Sequence, residues 1–328
     1  MENTERFVVV PKSENGTARP PAGSYHRGMS KPNPPPGYYA GLTNLVLHPD
    51  VEEVKLGKGL VMRRTFAHFM ISNTVAFRPP VAPGKHHGGP WKATTQGDGF
   101  DVFTEIYIPS TYKPPHGLKP IEVVRTLTCM LRLHCNPEIL FLLEANHSLS
   151  AFAAVPDRDM IIRPIESTPH YIHLQMRDDG LEAAASRLMW VVQNWQTAVD
   201  LMGLQADFKL AMEAYELSTF VPSHALTLVS LWGALEALFS PSTAELRFRV
   251  SVLISSYLCK PGKARLEKQK EIFDLYDKRS AAAHGKPKHS ELHLAQSYGI
   301  LRAVLTQIIE SKHVPTKDEL NDMLMGVQ

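Results

Sequence analysis

Cysteine is scarce in this sequence, three residues in 328, and Cys129, Cys135 and Cys259 form no CxxC pair. That excludes a disulfide framework of the secreted kind and leaves reduced thiols. Long apolar runs are missing as well. Lys, Arg, Asp or Glu interrupts every stretch before it reaches the roughly 18 residues needed to cross a bilayer. Met1–Lys12 carries Glu2, Glu5 and Arg6 around a very short apolar run, which is not the layout of a signal peptide. The expectation is a soluble protein in a reducing, cytoplasmic compartment with no membrane partner. Signals for a cofactor or metal are equally thin. Gly84, Gly88 and Gly89 lead to no G-K-[ST], so no P-loop is present, and there is no nucleophile elbow. His86 and His87 stand side by side without a spaced third ligand, and His134–Cys135 is as sparse, so neither a metal nor a cofactor is expected.

What is present is an ordinary globular composition, 44% apolar and 21% charged, in a chain long enough for two domains. Net charge is only +2, but it is unevenly spread. Between Arg247 and Lys288 eleven Lys and Arg face four acids, a local +7 that leaves −5 for the remainder. That asymmetry points to a polyanionic partner for the C-terminal part.

Three regions follow in order. Residues 1–39 are rich in Pro, Gly and Ser between 13 and 38 and read as an extended arm. Residues 40–178 hold short strand-like segments (Asn44–His48, Lys58–Arg63, Asn73–Phe77, Phe100–Ile108, Tyr171–Met176) between Pro/Gly clusters, with one helical pattern at Ile121–His134 and an apolar run at Ile139–Leu143. They read as a β-rich or mixed domain. Residues 179–328 carry apolar positions at i, i+3, i+4 and i+7. Helices are expected at Leu181–Met202, Phe208–Ser218, Pro222–Phe239, Ala244–Tyr257, Ala264–His284 and Ser290–Lys312, with a short one near Lys317–Met325. Gly285 and Pro287 supply a helix stop. The fold class is therefore α+β with two domains, the second an all-helical bundle.

Three pieces of that second domain stand out. Leu231–Phe239 (LWGALEALF) is an apolar helix with a single acid, Glu236. Leu246–Leu253 (LRFRVSVL) places Arg249 on a mostly apolar helix. Leu275–Gly285 (LYDKRSAAAHG) holds Arg279, Ser280 and His284. In this order and spacing they resemble the ApeA-like branch of the HEPN superfamily, over roughly Leu181–Lys312. The resemblance implies a helical bundle that forms a homodimer and a metal-independent endoribonuclease site built on an R-x(4–6)-H motif. It maps onto Arg279 and His284, with Ser280 in the polar position after the Arg and Glu236 as the acid on an earlier helix. It also implies a toxin or phage-defence effector, with the N-terminal domain binding an unknown trigger. Tyr276, Lys278, Lys286, Lys288 and Arg249 are the expected RNA contacts. The motif alone is not selective: Arg63–His68, Arg163–His170 and Arg19–His26 satisfy the same count. Only Arg279–His284 ends a helix in a basic region.

The chemistry stands without the resemblance. RNA carries its own nucleophile, the 2′-hydroxyl, so cleavage requires a proton acceptor and a cation for the phosphorane. Histidine exchanges protons near neutrality, and arginine offers a fixed fork of donors. Five residues along a helix turn a side chain through roughly 140°, so the two converge only if the helix frays before Gly285 or a second copy supplies half the site. Structural roles for the same residues are open too. Arg279 and His284 could cap the helix and pair with Asp274, Asp277 or Glu236, while Glu236 needs either Arg249 or Arg279. Tyr276 could stack on RNA or pack inside. The alternative function is a non-catalytic RNA-binding or dimerising scaffold.

Overall fold

The structure is a computed structural model, and it describes residues 37–48, 50–70, 72–86, 88–95, 99–168, 170–174, 181–239, 245–286 and 288–326. Most of the expected arm, with Arg19–His26, lies outside these residues, as do His87 and Pro287.

The chain is α+β, an antiparallel sheet followed by helices, and it divides into two compact units. One holds the described residues up to Ser110 together with Leu140–Ser167; the other holds Thr111–Ile139 and the chain from Thr168 on. The division is not a single cut near 178. Helix α1 (Pro120–His134), read from sequence inside the β-rich region, belongs to the helical unit, and the chain then returns to complete the sheet.

Among the described residues there are eight strands: β1 (Gly37–Leu42), β2 (Glu53–Gly57), β3 (Leu60–Phe69), β4 (Ser72–Ala76), β5 (Trp91–Thr95), β6 (Phe100–Pro109), β7 (Phe141–Ala145) and β8 (Ile162–Pro164). Six form one antiparallel sheet in the order β2-β3-β6-β1-β7-β8, while β4 and β5 pair as a separate hairpin. The central strand β1 sets Tyr39 opposite Tyr107 on one side and Ala145 on the other. Gly41 lets the turn of 3₁₀ helix at Leu149–Ala154 close over this strand, since a Cβ there would lie 3.0 Å from Leu149. Where the strands differ from expectation, backbone conformation is the reason. Lys58 and Gly59 both have positive φ, 52° and 83°, and make the two-residue turn between β2 and β3. Asn44 at φ 55° interrupts the segment expected as a strand at 44–48. Tyr171 and Ile172, expected in another strand, donate their N–H groups to the Thr219 carbonyl instead (2.9 and 3.1 Å).

In the helical unit α1 is joined by α2 (Leu181–Leu204), α3 (Ala206–Leu217), α4 (His224–Phe239), α5 (Leu246–Leu258), α6 (Lys263–Ala283), α7 (Glu291–Ser311) and α8 (Lys317–Met325). Helix α4 is apolar nearly all round, and it packs against α3, α6 and α7. Trp232, Leu235 and Leu238 are core residues at 0, 0 and 6% exposure. The buried Trp232 indole still finds a partner, donating to the Ser297 hydroxyl on α7 at 3.1 Å. Its ring meets Tyr276 of α6 edge-on, centroids 5.4 Å apart. These contacts fix α6 against α4 and so place the residues that follow Tyr276.

Candidate functional site

Helix α6 runs without interruption to Ala283 and closes in a Schellman motif. His284 is the C-cap, Gly285 takes φ +69°, the Gly285 N–H reaches Ala282 O (3.2 Å) and the Lys286 N–H reaches Ala281 O (2.9 Å). Gly285 thus ends the helix as its sequence implies. The His284 N–H still donates to Ser280 O at 3.1 Å, so the backbone does not fray before the glycine. Arg279 and His284 therefore keep a helical offset, and within one chain they leave α6 in different directions. His284 is exposed.

Arg279 points to α4. Its Nη2 donates to Glu236 Oε2 at 3.0 Å, and the two side chains are 21% and 17% exposed. The Tyr276 hydroxyl donates to the other carboxylate oxygen, Oε1, at 2.8 Å. The guanidinium also stands 5.4 Å from the centre of the Tyr276 ring. An acid on so apolar a helix needs such partners, and of the two arginines considered it is Arg279 that meets it; Arg249 is exposed. One consequence is that Arg279 Nε is buried with no hydrogen-bond partner among the described residues. The fold leaves part of this guanidinium's donor capacity unused.

The other expected site residues are spread around this core. Tyr276 is only 6% exposed, so its ring cannot lie on a base while α6 stays in place. Burial first, and then the hydrogen bond to Glu236, push its hydroxyl up to about 12, and it acts as a neutral donor. Ser280 and Lys278 are half-buried, and Lys286 and Lys288 are exposed beyond the helix end.

The competing motif matches fall apart structurally. Arg63 and His68 lie on β3, where Arg63 meets Glu105 and His68 meets Asp101 (2.8 Å). Arg163 lies on β8 beside Glu144 (3.1 Å), whereas His170 is buried in the other unit, its Nδ1 2.8 Å from the Thr219 hydroxyl. His86 is exposed in the β4–β5 connection. Among the described residues no group of three or more His, Cys, Asp or Glu is placed to hold a metal ion.

Sequence reasoning passed over two features. Arg247 of α5 lies 3.5 Å above the centre of the Phe273 ring and pairs with Asp277 at 2.6 Å. The Phe273-x3-Asp277 spacing on α6 carries that signal, but nothing in it names the partner. In the sheet unit Glu105, its side chain 1% exposed, accepts from Arg63 Nε (2.5 Å), the Ser148 hydroxyl (2.8 Å) and the Leu149 N–H (2.9 Å). Its partners are remote in sequence, and the isolated positions carry no motif.

Compared with known family models, curated proteins and solved structures, the chain matches none.

Proposed function

We propose that the protein is a metal-independent endoribonuclease of the HEPN kind, active as a homodimer, with the sheet unit as the part that senses a trigger. The observation that carries this reading is the Arg279–Glu236 pair at 3.0 Å, in which the arginine side chain stays 21% exposed, with the exposed His284 closing the same helix. An arginine braced by a carboxylate and a tyrosine is pre-organised for a phosphate. A histidine takes the proton from the 2′-hydroxyl, O2′ attacks phosphorus, and the bond to the 5′-oxygen breaks as that oxygen takes up a proton. The products are a 2′,3′-cyclic phosphate and a 5′-hydroxyl. Two copies of His284 near a two-fold axis supply one proton acceptor and one donor, and the second copy overcomes the divergence of Arg279 and His284 within one chain. In a toxin or phage-defence effector the sheet unit would raise a basal activity when its ligand arrives.

One observation favours a second reading, a non-catalytic RNA-binding or dimerising scaffold: Arg279 is already neutralised by Glu236. Incubating a mixed RNA pool with EDTA separates the two. Cleavage by the wild-type protein that is lost in both Arg279→Ala and His284→Ala supports the nuclease. RNA retention without cleavage, by protein of either kind, supports the scaffold.

A further inference from the structure

The strongest feature away from Arg279 lies where α5 begins against α6. The Arg247 guanidinium carbon lies over Phe273, 3.5 Å from the ring centre, and the guanidinium is paired there with Asp277 at 2.6 Å. Its neighbour Phe248 is 55% exposed. Together with Glu245 and Leu246 these residues line an open depression of about 430 Å³. A large exposed aromatic ring beside a guanidinium fixed on a second ring is a stacking platform. Unpaired nucleobases stack on aromatic rings and on arginine planes, whatever their sequence.

Charge and position agree with that chemistry. Asp277 neutralises Arg247 and Glu245 adds an exposed carboxylate to the lining, so the depression itself supplies stacking rather than attraction. The attraction comes from the segment as a whole, where eleven Lys and Arg face four acids between 247 and 288, and from exposed Lys270, one turn before Phe273 on α6. Along α6, Phe273, Asp277, Ser280 and His284 follow the spacing i, i+4, i+7, i+11, which is a single stripe. Arg279 lies outside that stripe, turned roughly 140° from His284. A strand following the stripe passes from the depression to His284 over about 16 Å of helix axis.

We propose that this depression binds an unpaired base of single-stranded RNA, stacked on Phe248 and on the Arg247–Phe273 pair, in the strand that His284 acts on. This inference rests on the RNA reading given above. The test is fluorescence anisotropy of the full-length protein with a short, fluorescein-labelled, 2′-O-methylated single-stranded RNA, which binds but offers no nucleophile for cleavage. Phe248→Ala weakens binding by about fivefold or more, the lower end of what one stacked base contributes. Phe248→Tyr retains it, and affinity for the same sequence as a duplex does not change. If wild-type protein binds and Phe248→Ala binds equally well, the subsite is wrong while the RNA reading stands. If wild-type protein binds no single-stranded RNA, both fail. If poly-glutamate displaces the RNA as well as unlabelled RNA does, the surface reads charge alone and the base subsite is overturned.

Discussion

Arg279 on α6 and Glu236 on α4 meet at 3.0 Å with about four-fifths of each side chain withdrawn from solvent (21% and 17% exposed). The pair joins the helix that carries His284 to the most apolar helix of the unit. Removing one partner leaves the other charge partly buried and unpaired. Glu236→Ala is therefore expected to destabilise the protein by about 1–3 kcal/mol, below the full value for a buried pair because water reaches the edge. A double-mutant cycle with Arg279→Ala in denaturant unfolding should return a coupling of about 1 kcal/mol or more. Additive effects would mean that the contact contributes nothing to stability.

Gly285 holds φ +69° at the end of α6, and no atom crowds the place where a Cβ would stand. Gly285→Ala tests conformation alone, without a clash. The expected loss is about 1 kcal/mol of stability, read from the shift of the denaturant midpoint, since alanine resists the left-handed region. An unchanged midpoint would show that the Schellman stop is not fixed by the glycine.

Acid should weaken the helical unit through two histidines. Burial, and then Arg132, lower His170 to about 4; burial, and then Arg302 and Arg187, lower His134 to about 4. Unfolded, each titrates near 6.5. Between those values the unfolded chain binds more protons than the folded one, so stability is complete above about 6.5 and falls as pH drops towards 4. His170 accounts for on the order of 3 kcal/mol of that loss. In unfolding measured from pH 7 downwards, His170→Asn should show a shallower decline than wild type. Parallel profiles would rule out this cause.

In the sheet unit Glu105 collects donors from Arg63, Ser148 and the Leu149 backbone. Glu105→Ala leaves the Arg63 guanidinium, which lies beside the Tyr39 and Tyr107 rings, without its carboxylate. A loss of about 3 kcal/mol is expected, read by chemical denaturation. A loss within about 0.5 kcal/mol, the range of ordinary surface changes, would contradict it.

What could be read in advance depended on how local the signal was. The helical repeat at Leu181–Met202 needs only its own side chains to bury a stripe, and α2 spans Leu181–Leu204. Glu236, alone on an apolar helix, demanded a cation, and the sequence narrowed the choice to two arginines. The choice between them is tertiary, because Arg279 is 43 residues away. The sheet was less legible for the same reason. Strand β7 returns after α1 to pair with β1, more than ninety residues earlier, and no periodicity encodes that pairing. Tyr276 sits three residues before Arg279, which permitted either stacking or packing, and only the meeting with Trp232 and Glu236 shows it packed.

The proposed role of His284 in metal-independent RNA cleavage is open to a single comparison. Wild-type protein and His284→Ala are incubated with a mixed RNA pool in EDTA, and the termini of any fragments are analysed. Fragments ending in 2′,3′-cyclic phosphate are expected from the wild type and none from His284→Ala. Equal cleavage by both proteins would contradict it.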